Sequence, residues 1–103
     1  MRYTEIFKLK NILADEGIPF EFKDRSSEFD GREAWQICYP VMLPNPDCVC
    51  SVIQSYGSYG AETDKLEIMG LLTDEEKTKD SVKGWLSAEE VFGRIKKHWE
   101  EEG

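Results

Sequence analysis

The sequence is short of the residues that most often carry chemistry or cross-links. It has one histidine and three cysteines in 103 residues. His98, with no serine or cysteine nucleophile beside it in sequence, defines no catalytic dyad by spacing, and at a helix end it is expected to be solvated. An odd cysteine count argues against a disulfide framework. Met1-Arg2-Tyr3-Thr4-Glu5-Ile6 has neither an apolar signal core nor a small-residue cleavage site. Together these features predict a cytoplasmic protein. No apolar stretch reaches the length of a membrane span, so no membrane partner is expected. Basic side chains are also scarce, 13 against 21 acidic, for a net charge of -8. Such a chain is repelled by nucleic acid and by anionic membranes, which disfavours direct nucleic-acid binding, whereas a basic protein surface attracts it.

Ordinary metal and catalytic patterns are missing too. Cys48-Val49-Cys50 with Cys38 offers three thiols. A Cys-x-Cys within a strand holds its thiols about 7 Å apart on a flat face, whereas zinc sites favour turns that wrap the ion. The cysteines therefore read as small buried hydrophobes, and neither a metal nor a cofactor is expected. Carboxylates are plentiful at Asp24, Glu28, Asp30, Glu33, Glu62, Asp64 and Glu67. Asp64-Lys65-Leu66-Glu67 has the residue types of a metal-dependent nuclease without its arrangement. No catalytic residue is assigned, and the balance leans away from an enzyme.

What is present suits one domain over residues 1–103, with 40% hydrophobic and 12% aromatic residues. Thr4 is placed to cap a helix over about 4–16, with Ile6, Leu9, Ile12 and Leu13 at helical spacing; Gly17 and Pro19 end it. Phe20 and Phe22 alternate with charged residues as a strand, and 24–31 is a loop. Trp35, Ile37 and Tyr39 share one face of a second strand, so Trp35 reads as core. Residues 48–54 form a third, central strand, and Lys65-Leu66-Glu67-Ile68 is a fourth candidate. Thr73 to Glu76 has capping-box spacing and starts a short surface helix. Val82 to Leu86 is a short extended segment. Ser87 to Glu90 is a second capping box, with Leu86 and Val91 as its hydrophobic staple. Val91, Phe92, Ile95 and Trp99 make the stripe of a terminal helix, which places Trp99 in the core and lets Glu100 to Gly103 fray. Short strand connections favour an antiparallel meander. The expected fold is α+β: a two-layer sandwich, with an antiparallel sheet of three to four strands and a helix at each end.

The one feature that asks for a function is a tripeptide written twice, Ser55-Tyr56-Gly57-Ser58-Tyr59-Gly60. Two glycines three apart, without a Walker lysine and followed by Ala61-Glu62-Thr63-Asp64, do not make a phosphate loop. The first reading is a hairpin loop in which Gly57 and Gly60 take positive φ. The second is a contact surface: Tyr56 and Tyr59 are amphipathic rings on a mobile loop, with Ser55 and Ser58 as hydrogen-bonding neighbours. Arg25, Arg32 and Trp85 complete the candidate ligand- or partner-binding set. Trp85, just before a helix N-terminus, either plugs the core or lines a cleft.

Several stretches together carry a likeness. Gln36-Ile37-Cys38-Tyr39-Pro40, Cys50-Ser51-Val52-Ile53, Gly57-Ser58-Tyr59-Gly60, Leu66 to Thr73 and Gly84 to Phe92 resemble a group of small, functionally uncharacterised phage and prophage proteins of low-GC Gram-positive bacteria. The likeness covers most of the chain from about Ile18 onward. It implies a genomic context, a small protein of the host-cell cytoplasm, and brings no catalytic residues. In that context the expected function is a non-enzymatic binding protein that counters host defence, by sequestering a nucleotide signal or by inhibiting a defence protein. Its partner is then a small anionic ligand or a host or phage protein, and self-association into a homo-oligomer stays open. The alternatives are an acidic DNA mimic, a metal-dependent small enzyme using the carboxylates and Lys65, and a phage structural or interaction protein.

Overall fold

A computed structural model describes residues 2–102. Helix α1 (Glu5–Asp15) is followed by strand β1 (Glu21–Asp24), a 3-10 turn (Ser26–Phe29), β2 (Ala34–Tyr39) and β3 (Cys50–Ser55). A second 3-10 turn (Ala61–Thr63), β4 (Leu66–Met69), α2 (Asp74–Lys79), β5 (Lys83–Leu86) and α3 (Ala88–Glu102) complete the chain. The sheet runs β1-β2-β3-β4-β5, every neighbour antiparallel, so the meander is realised with five strands rather than three to four. The added strand is the short segment before α3. It escapes simple alternation because its register shifts between Leu66 and Ile68 of β4, and because Trp85 takes the left-handed φ of 56°.

Both long helices lie on one face of the sheet and pack against each other. Strand alternation sends Ile37 and Tyr39 of β2, Val52 of β3, Leu66 and Ile68 of β4 and Leu86 of β5 into that layer. There they meet Ile6, Leu9 and Leu13 of α1 and Val91 and Ile95 of α3 in one continuous core. Trp35 is half-buried at its rim, stacked on Phe22 and edge-on to Phe7. The opposite sheet face is polar but not bare. Gln36 donates to Ser51 Oγ at 2.8 Å, and Arg25 bonds both Gln36 and Glu28.

Four expectations at the helix ends are corrected. Thr4 sits at the start of α1, but its side chain does not cap the helix. Its hydroxyl and its N–H both go to Asp64, sixty residues away in sequence. At the other end of the chain, Trp99 is 38% exposed rather than core. A helix turns by about 100° per residue, so position 99 lies about 80° off the direction of Val91, while position 98 lies within about 20° of it. His98 therefore points inward and its Nδ1 meets the hydroxyl of buried Tyr39 at 2.6 Å. The expected solvated histidine is a packed one. Helix α3 also continues to Glu102 rather than fraying from Glu100.

Among the described residues no helix is long and apolar enough to cross a membrane.

Candidate functional site

The duplicated tripeptide closes the β3–β4 hairpin, and its two copies do different things. Ser55 is the buried last residue of β3, and its N–H donates to Ser58 Oγ at 3.1 Å. The Ser58 hydroxyl in turn donates to the Ser55 carbonyl at 2.9 Å. The Ser58 hydroxyl is thus spent on the Ser55 backbone inside the loop, and Ser55 is itself buried. Gly57 and Gly60 take φ of 88° and 96°, the left-handed backbone that the hairpin reading requires.

Tyr56 and Tyr59, three residues apart, leave the loop in different directions. Tyr56 is 65% exposed, and the Arg32 guanidinium lies over its ring at 4.3 Å from the centroid. These two, with Tyr3, Glu33, Gly57, Ala61 and Glu62, line a cleft of about 810 Å3. Tyr59 turns instead to β5 and stacks on Trp85, with ring centroids 5.5 Å apart and planes within 7° of parallel. Tyr59 is 46% and Trp85 60% exposed, so of the two expectations for Trp85 the structure takes the second: it does not plug the core but lines a cleft. Their cleft, about 440 Å3, is lined further by Glu75, Asp80, Val82 and Lys83.

This aromatic pair is held by backbone. Trp85 N–H donates to the Tyr59 carbonyl at 3.3 Å, and Tyr59 N–H donates to Glu67 Oε1 at 2.8 Å. A methyl group on Gly60 would lie 2.8 Å from Trp85 N, and one on Gly84 would lie 2.2 Å from Tyr59 Cβ. Loop and strand touch backbone to backbone, which only glycine allows on either side. The loop is therefore fastened along its second half, contrary to the expectation of two rings on a mobile loop. Arg25 belongs elsewhere. It lines a separate groove with Glu28, Phe29, Gln36, Leu43, Pro44 and Ile53 on the sheet face away from the helices. The candidate set thus divides into Arg32–Tyr56–Gly57, Tyr59–Gly60–Trp85, the internal pair Ser55–Ser58, and isolated Arg25.

The charged groups that could suggest chemistry are committed to architecture. Asp64 Oδ1 accepts from Thr4 N–H at 2.9 Å, Glu5 N–H at 3.3 Å and Gln54 Nε2 at 2.7 Å. The fully buried Gln54 also accepts from Ile6 N–H at 3.1 Å, so β3 and the loop after it cap α1 together. Burial works against the charged form of Asp64, but the bonds from Thr4, Gln54 and Glu5 prevail and hold its carboxyl below the ordinary range. Glu5 Oε1 accepts from Ala88 N–H at 2.9 Å and so helps to cap α3. Burial pushes the Cys50 thiol up to about 12, and burial with Cys38 alongside pushes Cys48 up to about 11, so both remain protonated thiols at neutral pH. Among the described residues no group of three or more His, Cys, Asp or Glu is placed to hold a metal ion.

Sequence reasoning found the loop, Arg32 and Trp85, but missed Glu62, Tyr3 and Gly84 as members of the two clefts. Gly84 carried the one available signal, a glycine inside a strand, which marks a close backbone approach.

No protein-family model, curated protein or solved structure matches this chain.

Proposed function

We propose that this is a small non-enzymatic binding protein of phage or prophage type, and that it counters host defence by inhibiting a defence protein. The observation that carries this reading is the Tyr59–Trp85 stack. A tryptophan that is 60% exposed and held at φ 56° is in an unfavourable backbone state with its ring in water. Backbone strain of this kind costs about 1–3 kcal/mol and concentrates at functional sites. A rigid aromatic pair with its shape set in advance is the usual anchor of a protein interface, because little side-chain entropy is lost on binding. The net charge of -8 favours a partner whose receiving face is basic, and long-range attraction then speeds encounter. The same charge is shared by a DNA mimic, but Lys79 and Lys83, which line the cleft beside the stack, break up the row of negative charge that a mimic needs. A metal-dependent enzyme built on Asp64 would have to forgo the cap of α1.

The test is plaquing of a defence-sensitive phage on a host that expresses the chain. The wild type is expected to raise plaquing clearly above that of a host lacking it. The Tyr59→Ala/Trp85→Ala variant is expected to abolish that gain while melting within a few degrees of wild type. Equal protection by a folded double variant would sink the proposal.

A further inference from the structure

The cleft beside Tyr56 is a separate site from the Tyr59–Trp85 face, and its chemistry points to a different occupant. Its floor includes Tyr3 and Ala61, both buried apolar surface. Its volume of about 810 Å3 falls in the range, roughly 300–1,000 Å3, of sites that enclose small molecules. Three polar groups reach it. Glu33 is already satisfied: Oε1 accepts from Tyr3 N–H at 3.0 Å and Oε2 from Trp35 Nε1 at 2.7 Å. Arg32 is not. Among the described residues its guanidinium has no carboxylate or carbonyl partner and only the Tyr56 ring beneath it, which leaves its N–H donors uncommitted. Glu62 likewise has no hydrogen-bond or ion-pair partner among the described residues and contributes an open pair of acceptor oxygens.

The cleft therefore combines an uncommitted guanidinium, an open carboxylate and an aromatic ring. The guanidinium suits one phosphate or carboxylate group, with two parallel hydrogen bonds. The carboxylate suits a group with two adjacent N–H donors, and the ring suits a flat heterocycle. Guanine is the nucleobase whose hydrogen-bonding edge presents adjacent ring N–H and amino donors. Arg32 is the one cation lining the cleft and can take one phosphate, while Glu33 and Glu62 leave the lining net negative and disfavour a triphosphate.

We propose that this cleft binds a guanine nucleotide bearing a single phosphate, with Arg32 on the phosphate, Glu62 on the base edge and the base against the Tyr56 ring face that Arg32 leaves free.

The experiment is calorimetric titration of the full chain with guanosine monophosphate, adenosine monophosphate, guanosine and guanosine triphosphate. Guanosine monophosphate is expected to bind at least about tenfold tighter than each of the other three. Arg32→Gln should weaken guanosine monophosphate about tenfold or more and leave guanosine unchanged, because it removes only the phosphate contact. Glu62→Gln should narrow the preference for guanine over adenine. Both side chains are exposed, so the fold is expected to survive, and melting curves check that it does. No binding of guanosine monophosphate at millimolar concentration would overturn the proposal. So would equal binding of the two monophosphates, or unchanged binding by both folded variants. The Tyr59→Ala/Trp85→Ala variant should bind the nucleotide as wild type does, so failure here and failure of the defence-protein reading are read separately.

Discussion

Replacing Glu76 by Gln should remove a clasp that joins α2 to α3, and the cost can be worked from geometry. Glu76 closes the capping box of α2, accepting from Thr73 N–H at 2.8 Å while its own N–H bonds Thr73 Oγ1 at 3.2 Å. It also takes two parallel bonds from Arg94, at 2.7 and 2.8 Å. Arg94 donates a further bond, 3.0 Å, to the carbonyl of Leu71, a residue held at φ 55°. The two side chains are only 18% and 23% exposed, so water screens the pair less than it would a surface ion pair. Hydrogen bonds from Arg94 and Thr73 lower the Glu76 carboxyl from 4.5 to about 2. At about 1.4 kcal/mol per pH unit, the ceiling on the charge's contribution is about 3 kcal/mol. Remaining solvent access reduces the expectation for Glu76→Gln to about 2 kcal/mol at pH 7, about 10 °C in Tm for a chain of this size. The sign follows from the lowered carboxyl. The contribution is whole above the ordinary glutamate value and disappears as pH falls from about 4.5 toward 2. Urea titrations of wild type and variant at several pH values between 7 and 3 read it directly. A gap below about 0.5 kcal/mol at pH 7, or one that does not narrow with acid, would refute the reasoning.

Asp64→Asn should cost about 2 kcal/mol, because it replaces a carboxylate that gathers Thr4, Glu5 and Gln54 at the start of α1. Asn also tolerates the left-handed φ of 56° at this position, so the loss reports the charge rather than the turn. Since Asp64 is held below the ordinary carboxyl range, the deficit should shrink as the solution is acidified through that range; amide exchange of α1 residues should speed up, and unchanged exchange would count against the cap. Gly84→Ala places a methyl 2.2 Å from Tyr59 Cβ and 2.7 Å from its carbonyl oxygen, so loop or strand must move. We expect about 2 kcal/mol of destabilisation and an altered near-ultraviolet circular dichroism spectrum from the displaced Tyr59–Trp85 stack; a wild-type spectrum would mean that the backbone contact is not what holds the pair.

The layer architecture was legible because periodicity records which face of each element is wet. Ile6, Leu9 and Leu13 repeat at helical spacing and are all buried, and the capping boxes at Thr73 and Ser87 form as read. What could not be read is polar pairing between distant segments. Asp64 to Thr4, Gln54 to Ile6 and Glu5 to Ala88 span 60, 48 and 83 residues. No local pattern announces them, because a carboxylate that caps a foreign helix looks in sequence like any loop carboxylate. The misplacement of Trp99 has another cause. Hydrophobicity favoured Trp99 over His98, whereas helical phase favoured His98, and phase prevailed because Tyr39 supplies the hydroxyl that partners the half-buried imidazole.

The repeated tripeptide shows the same limit within six residues. Its halves are identical in sequence, yet a methyl on Gly57 would meet nothing, while one on Gly60 would press on Trp85 N and on Lys65 Cβ, 2.9 Å away. Gly57 is needed only for its φ, at the edge of the Arg32–Tyr56 cleft; Gly60 is needed for both φ and space, at the joint with β5. The hairpin turns between them, and so one tyrosine faces the nucleotide-sized cleft and the other builds the aromatic face. A short repeat on a tight turn therefore does not double one site. It places the same side chain on two sides of a sheet end, where each copy takes its role from what the fold has put opposite: an arginine over the ring in one case, a strained tryptophan in the other.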